Sequence, residues 1–144
     1  MITLKKITTD EMLTECLDLA VSTEQENFVD STAVSLALAW YNYDASRPFC
    51  IYHGDTMVGF VLLHCETATS CEIWQFLIDE KYQGKGYGSA ALAEILQYAK
   101  NSNFEEIFLL MYPENKAAVK FYEKAGFYLT GKSQDEEVFM QFGG

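Results

Sequence analysis

Gln83-Gly84-Lys85-Gly86-Tyr87-Gly88-Ser89 follows the mostly apolar run Glu72-Ile73-Trp74-Gln75-Phe76-Leu77-Ile78 and opens the segment Ala90-Ala91-Leu92-Ala93-Glu94-Ile95-Leu96-Gln97-Tyr98-Ala99. The first flank reads as a buried strand and the second as an amphipathic helix. A glycine-rich turn between them presents backbone N–H groups at the positive end of a helix, which is an anion site suited to phosphate. A nucleotide-binding P-loop would place Lys after the last glycine with a hydroxyl behind it, whereas Lys85 stands between glycines. The dinucleotide fingerprint G-x-G-x-x-G would begin at Gly84 and Gly86 but meets Ser89 at its third glycine, and no βαβ unit precedes it. What remains is Q-x-x-G-x-G at Gln83, Gly86 and Gly88.

Further along, Asn115-Lys116-Ala117-Ala118-Val119-Lys120-Phe121-Tyr122-Glu123-Lys124-Ala125-Gly126-Phe127 reads as a helix ended by Gly126, with Asn115 and Tyr122 about two turns apart on one face. Paired at this separation, the two segments resemble the GNAT family of N-acetyltransferases, and the resemblance covers nearly the whole chain.

Composition agrees with an ordinary globular domain. The chain has 144 residues, 49% hydrophobic and 22% charged, which suits one domain over 1–144. Its start, Met1 to Ile7, is a short strand pattern and lacks the long apolar run of a signal peptide; no segment is apolar enough to span a membrane, so the cytoplasm is the expected compartment. Cys16, Cys50, Cys65 and Cys71 show no C-x-x-C spacing, and His53 and His64 do not sit at metal-ligand offsets from them. Cys65 and Cys71 face each other across a turn in this reading, but no disulfide and no metal are expected. The net charge of −11 disfavours nucleic acid as a partner and concentrates small cations.

In chain order, Met1 to Ile7 is a strand, Asp10 caps a helix, and Asp30 or Ser31 caps a second helix carrying Val34, Leu38 and Trp40-Tyr41. Pro48 to His53 and Thr56 to His64 form a hairpin on Gly54-Asp55, with Gly59 marking a bulge or a close approach. Period two places Glu72, Trp74, Phe76 and Ile78 on one face of the central strand. Glu106 to Tyr112 follows the helix as a parallel strand, and Phe127 to Thr130 and Glu137 to Phe142 close the chain as a hairpin. The order β-α-α-β-β-β-α-β-α-β-β matches the α/β (α+β) GNAT fold that the resemblance implies. That fold is a mixed, mainly antiparallel sheet of about seven strands with about four helices, its two central parallel strands splayed.

The resemblance also implies the chemistry. Acetyl-coenzyme A is the co-substrate, its pyrophosphate on the backbone of Gln83, Gly84, Lys85, Gly86, Tyr87, Gly88 and Ser89, its pantetheine along Phe76, Leu77 and Ile78, with Asn115 reaching the same arm. An alkyl amine is protonated at neutral pH and needs a base before it attacks; Glu72, Glu24 and Glu26 are the carboxylate candidates, Glu72 preferred for its place on the central strand. A backbone N–H near Ile78 would meet the oxyanion, and Tyr122 would act as general acid towards the departing thiolate. The family's acceptor loop falls on Glu24, Gln25 and Phe28. Within the family, Val21-Ser22, Gln25, Phe28-Val29, the strand Trp74 to Glu80 and Tyr82 to Gly86 look like bacterial spermine/spermidine acetyltransferases, which places Trp74 with the acceptor residues and makes the substrate a small cationic amine. Many members carry proline where this chain has Glu80. Another small amine or a peptide amino group as acceptor, or a non-catalytic acyl-coenzyme A sensor, are the alternatives, and a homodimer through an exposed final strand is a further expectation.

Overall fold

The structure, a computed structural model, describes residues 1–22, 25–26 and 29–144. Among the described residues four α-helices and seven strands follow the expected order: β1 (Ile2–Lys5), α1 (Asp10–Asp18), α2 (Thr32–Tyr41), β2 (Ser46–His53), β3 (Thr56–His64), β4 (Ser70–Ile78), α3 (Tyr87–Asn101), β5 (Glu106–Met111), α4 (Lys116–Lys124), β6 (Phe127–Gln134) and β7 (Glu137–Phe142). A 3-10 turn, Glu80–Tyr82, joins β4 to the glycine-rich segment. The strands form one sheet in the order β1-β2-β3-β4-β5-β7-β6, in which β4 and β5 are parallel and every other pair is antiparallel. The final strand β7 therefore lies inside the sheet, and β6 is the edge. The expected exposed final strand is corrected: β5 and β6 use both of its hydrogen-bonding sides.

Apolar side chains cover both faces of the sheet. Ile51, Val61, Leu63, Ile73, Leu92, Ile95, Phe127 and Met140 build the larger core, on the side of α3 and α4. Cys16, Cys50, Phe60, Leu62 and Leu77 build the smaller one against α1 and α2. All four cysteines are buried free thiols, with the Sγ atoms of Cys65 and Cys71 3.5 Å apart.

Local signals explain most element ends. Thr9, rather than Asp10, caps α1: its side chain accepts from Met12 N–H, and Asp10 and Glu11 fill the first turn where the dipole favours acids. Ser31 caps α2 through Val34 N–H. Asn115 caps α4 by accepting from Ala118 N–H at 3.3 Å, so it precedes that helix rather than lying on its face. Glu80, at the position where proline is common in the resembling family, donates its N–H to Ala20 O at 2.8 Å, a bond proline cannot make. Asp79, 4% exposed, adds bonds from Ala20 N–H and Lys81 N–H and fixes this turn against the end of α1.

Two bulges shape the centre. One shifts the β2–β3 register at Val58, beside Gly59, and Gly59 is also a close approach: a Cβ there would stand 2.3 Å from Leu77 O. Gly59→Ala is thus expected to push β3 from β4 and destabilise the protein by about 1–3 kcal/mol, read in thermal denaturation as a Tm loss of roughly 2–10 °C. An unchanged Tm would show that the two strands part without cost.

The second bulge falls in β4. Leu62 pairs with Gln75 but Leu63 pairs with Ile73, leaving Trp74 outside the ladder. Cys71 and Ile73 face the larger core; beyond the bulge Phe76 and Ile78 face it, while Trp74 and Leu77 pack on the smaller one. The single period-two face of Glu72, Trp74, Phe76 and Ile78 is corrected accordingly, because the extra residue inverts the alternation.

Candidate active site

The parallel strands separate where the bulge occurs. β4 and β5 pair from Ser70/Glu106 to Ile73/Leu109 and no further, although β4 continues to Ile78 beside β3 and β5 continues to Met111 beside β7. From Trp74 onward the β5-facing edge of β4 has no strand partner, so its peptide groups are available to an extended ligand. A cavity of ≈ 470 Å³ occupies this opening on the α3–α4 side. Phe76, Leu77 and Ile78 form one wall; Ala118, Phe121 and Tyr122 of α4 form another, with Asn115 at its end.

The glycine-rich turn closes the cavity. Gly84 and Gly86 hold φ of +79° and +83°, which glycine adopts without the penalty a Cβ brings. Gly86 is the N-cap of α3 and supplies no side-chain cap, whereas Thr9, Ser31 and Asn115 cap the other three helices. The first N–H groups of a four-turn helix are left for an anion. Gln83, Gly84, Gly86, Tyr87, Gly88 and Ser89 line the cavity, and Lys85 does not. Gln83 Nε2 donates to Ile78 O at 2.9 Å and to Gln25 Oε1 at 2.8 Å, tying the end of β4 to the segment before α2. Gln25, expected at the acceptor, lines this cavity too.

Tyr122 projects into the same space. Its ring meets Phe121 at 5.2 Å and Phe127 at 5.4 Å, both edge-on. Burial holds its phenol pKa above the ordinary value, so the hydroxyl keeps its proton at neutral pH.

A second cavity of ≈ 440 Å³ opens on the α2 side, and Ile73, Trp74, Gln75, Leu110, Tyr112 and Glu137 line both. The gap between β4 and β5 thus joins two spaces through the sheet. Four carboxylates from three segments line the second: Glu26 and Asp30 before α2, Glu72 on β4 and Glu137 on β7. No lysine or arginine is among its described lining residues. Burial pushes the Glu72 carboxyl above its usual range; Trp74 hydrogen bonding opposes this, and Glu137 and Glu66 add to it. Glu137 is raised likewise, by burial first, then by Asp135 and Asp30. Gln75 grips Asp30 twice, accepting from its N–H and donating Nε2–H to Oδ2, both at 3.2 Å.

Several of these residues escape a reading of the sequence. Asp30, Gln75 and Glu137 lie far apart in the chain, and only the bulge and the insertion of β7 beside β5 bring them together. Glu24 and Phe28, the other expected acceptor residues, lie outside the described residues. Among the described residues no three His, Cys, Asp or Glu side chains group as a metal site, and no helix is long and apolar enough to cross a membrane.

Comparison with known proteins gives this arrangement its family. The model of the acetyltransferase (GNAT) family matches residues 11–127. The chain belongs to the GNAT family. This acetyltransferase is 31% identical over 137 residues to the spermine/spermidine N(1)-acetyltransferase of Bacillus subtilis, covering 88% of each chain. The fold is shared with a spermidine N-acetyltransferase from Vibrio cholerae in complex with CoA and spermine (TM-score 0.75, 22% identity, 97% and 93% of the two chains). It is also shared with a GNAT acetyltransferase from Elizabethkingia anophelis with acetyl-CoA bound (TM-score 0.70, 15% identity, 99% and 96%). The acetyltransferase thus has the GNAT sheet, with β4 and β5 as its splayed parallel pair.

Proposed function

We propose that this acetyltransferase moves the acetyl group of acetyl-coenzyme A onto a primary amine of a polyamine such as spermine or spermidine, by direct attack through the gap between β4 and β5. The observation that carries this reading is the second cavity, which four carboxylates line, unopposed by a cation among its described lining residues. A polycation gains from each carboxylate it meets there, and its charge relieves the repulsion between Glu72 and Glu137. The polyamine acetyltransferase of B. subtilis among the relatives supports the same substrate class.

The larger cavity suits the co-substrate. The uncapped N-terminus of α3 meets the pyrophosphate, and the free edge of Phe76 to Ile78 bonds the pantetheine amides in strand fashion. Asn115 stands at the end of that path. On the other side Glu72 takes a proton from the ammonium, directly or through water; its raised pKa makes it a stronger base than an ordinary glutamate. A backbone N–H near Ile78 stabilises the oxyanion, and Tyr122 donates its proton to the departing thiolate.

Release of free thiol from acetyl-coenzyme A tests the reading, with spermine, spermidine, a lysine peptide and an aminoglycoside offered in parallel at rising salt. Turnover is expected with the polyamines, and their KM should rise with ionic strength as the carboxylate field is screened. Turnover confined to the other amines would remove the polyamine assignment, and acetyl-coenzyme A binding without any turnover would make the protein an acyl-coenzyme A sensor.

A further inference from the structure

We propose that His64 is a positioning residue for the amine site: its imidazole, stacked flat on the Trp74 indole, holds that ring as a wall of the acidic cavity. The inference rests on the amine-acceptor reading above.

The need for such a support follows from the bulge. Trp74 falls outside the β3–β4 ladder, so its ring is held by side chains rather than by a cross-strand pair: it packs on the smaller core, hydrogen-bonds Glu72 and stacks on His64. His64 ends β3 and pairs across with Glu72, and paired residues of adjacent strands point to the same face. Its ring lies 3.9 Å from that of Trp74 with 4° between their planes. His64 lines neither cavity, whereas Trp74 lines both. The imidazole therefore backs the indole from outside the two cavities that the indole lines. An indole face beside Glu72 and Glu137 is a site for an alkylammonium, which it attracts through its quadrupole while the carboxylates meet the charge.

Packing alone does not account for a histidine here. Its Nδ1 is buried without a hydrogen-bond partner among the described residues, as is Oγ of Ser46, the residue paired with it on β2. Glu66 brings Oε2 to 3.9 Å from Nε2, and that glutamate side chain is 83% exposed. A buried polar atom without a partner costs stability that a hydrocarbon of similar size would not. The flat ring is what an aliphatic side chain cannot supply.

Two variants separate stacking from packing. His64→Leu keeps a buried apolar side chain and removes the stack, and His64→Phe restores a flat ring without the nitrogens. His64→Leu is expected to raise the spermine KM about five- to tenfold with the acetyl-coenzyme A KM within about twofold, and His64→Phe to return the spermine KM to near wild type. In a Trp40→Phe background Trp74 is the one tryptophan left of two; its fluorescence should become more accessible to acrylamide in His64→Leu and not in His64→Phe. An unchanged spermine KM in His64→Leu, equal rises in both KM values, or no rescue by His64→Phe would overturn the role of His64 alone. A wild-type protein that binds acetyl-coenzyme A but acetylates no amine would overturn the acceptor reading and this inference with it.

Discussion

Replacing Tyr122 by Phe should lower kcat by about 10²–10³-fold while leaving acetyl-coenzyme A affinity within about twofold. The ring is held edge-on between Phe121 and Phe127, and phenylalanine fills that place without loss of packing. The substitution thus removes one hydroxyl and little else. That hydroxyl is kept protonated by burial, and Tyr122 lines the cavity proposed to hold the thioester. Turnover by stopped thiol release and affinity by calorimetry separate the two quantities. Equal losses in both would mark Tyr122 as a structural tyrosine, and no loss in either would assign the thiolate's proton to another donor.

The double substitution Glu72→Gln and Glu137→Gln should raise the spermine KM by about 30–100-fold, taking one charge-assisted contact from each. The salt dependence of KM should flatten with it. A stability effect of opposite sign accompanies the loss. Both carboxyls have folded pKa values above the ordinary 4.5, with burial the main cause. The folded state therefore holds more protons than the unfolded one as pH rises from that value through the raised pKa, and stability is lost across this window. The variant lacks both titrations, so in the absence of amine its Tm should gain on wild type as pH rises above 4.5. A variant that loses stability relative to wild type over that range would show the carboxylates to be structurally paired rather than held for a ligand.

Much of the larger cavity is legible in local sequence. Gly84 and Gly86 announce the left-handed turn, the apolar run before them announces the central strand, and Gly126 marks the end of the last helix by its φ of +105°. These signals are local because backbone conformation and helix termination are local events. The acidic cavity is different in kind. Trp74 carries no glycine or proline to betray its bulge, so alternation read along the strand misassigns every side chain on one side of it. Glu137 reaches the cavity because β7 enters the sheet between β5 and β6, and Asp30 because Gln75 grips it; both are consequences of pairing between distant segments. The same topology turned the final strand from the expected edge into the sheet interior. Caps were legible to within a residue, since Thr9 and Asp10 are both capping types and only the bond to Met12 N–H distinguishes them.

Direct transfer needs both substrates bound in two cavities that meet at one gap, and no cysteine lines either of them among the described residues. Initial velocities measured over a grid of acetyl-coenzyme A and spermine concentrations test it most directly. Lines that intersect in double-reciprocal form, with no exchange of label between acetyl-coenzyme A and coenzyme A when spermine is omitted, are the predicted result, because both substrates must be bound at once. Parallel lines with such exchange would contradict the account, since they would require an acetyl-enzyme formed on a side chain before the amine arrives.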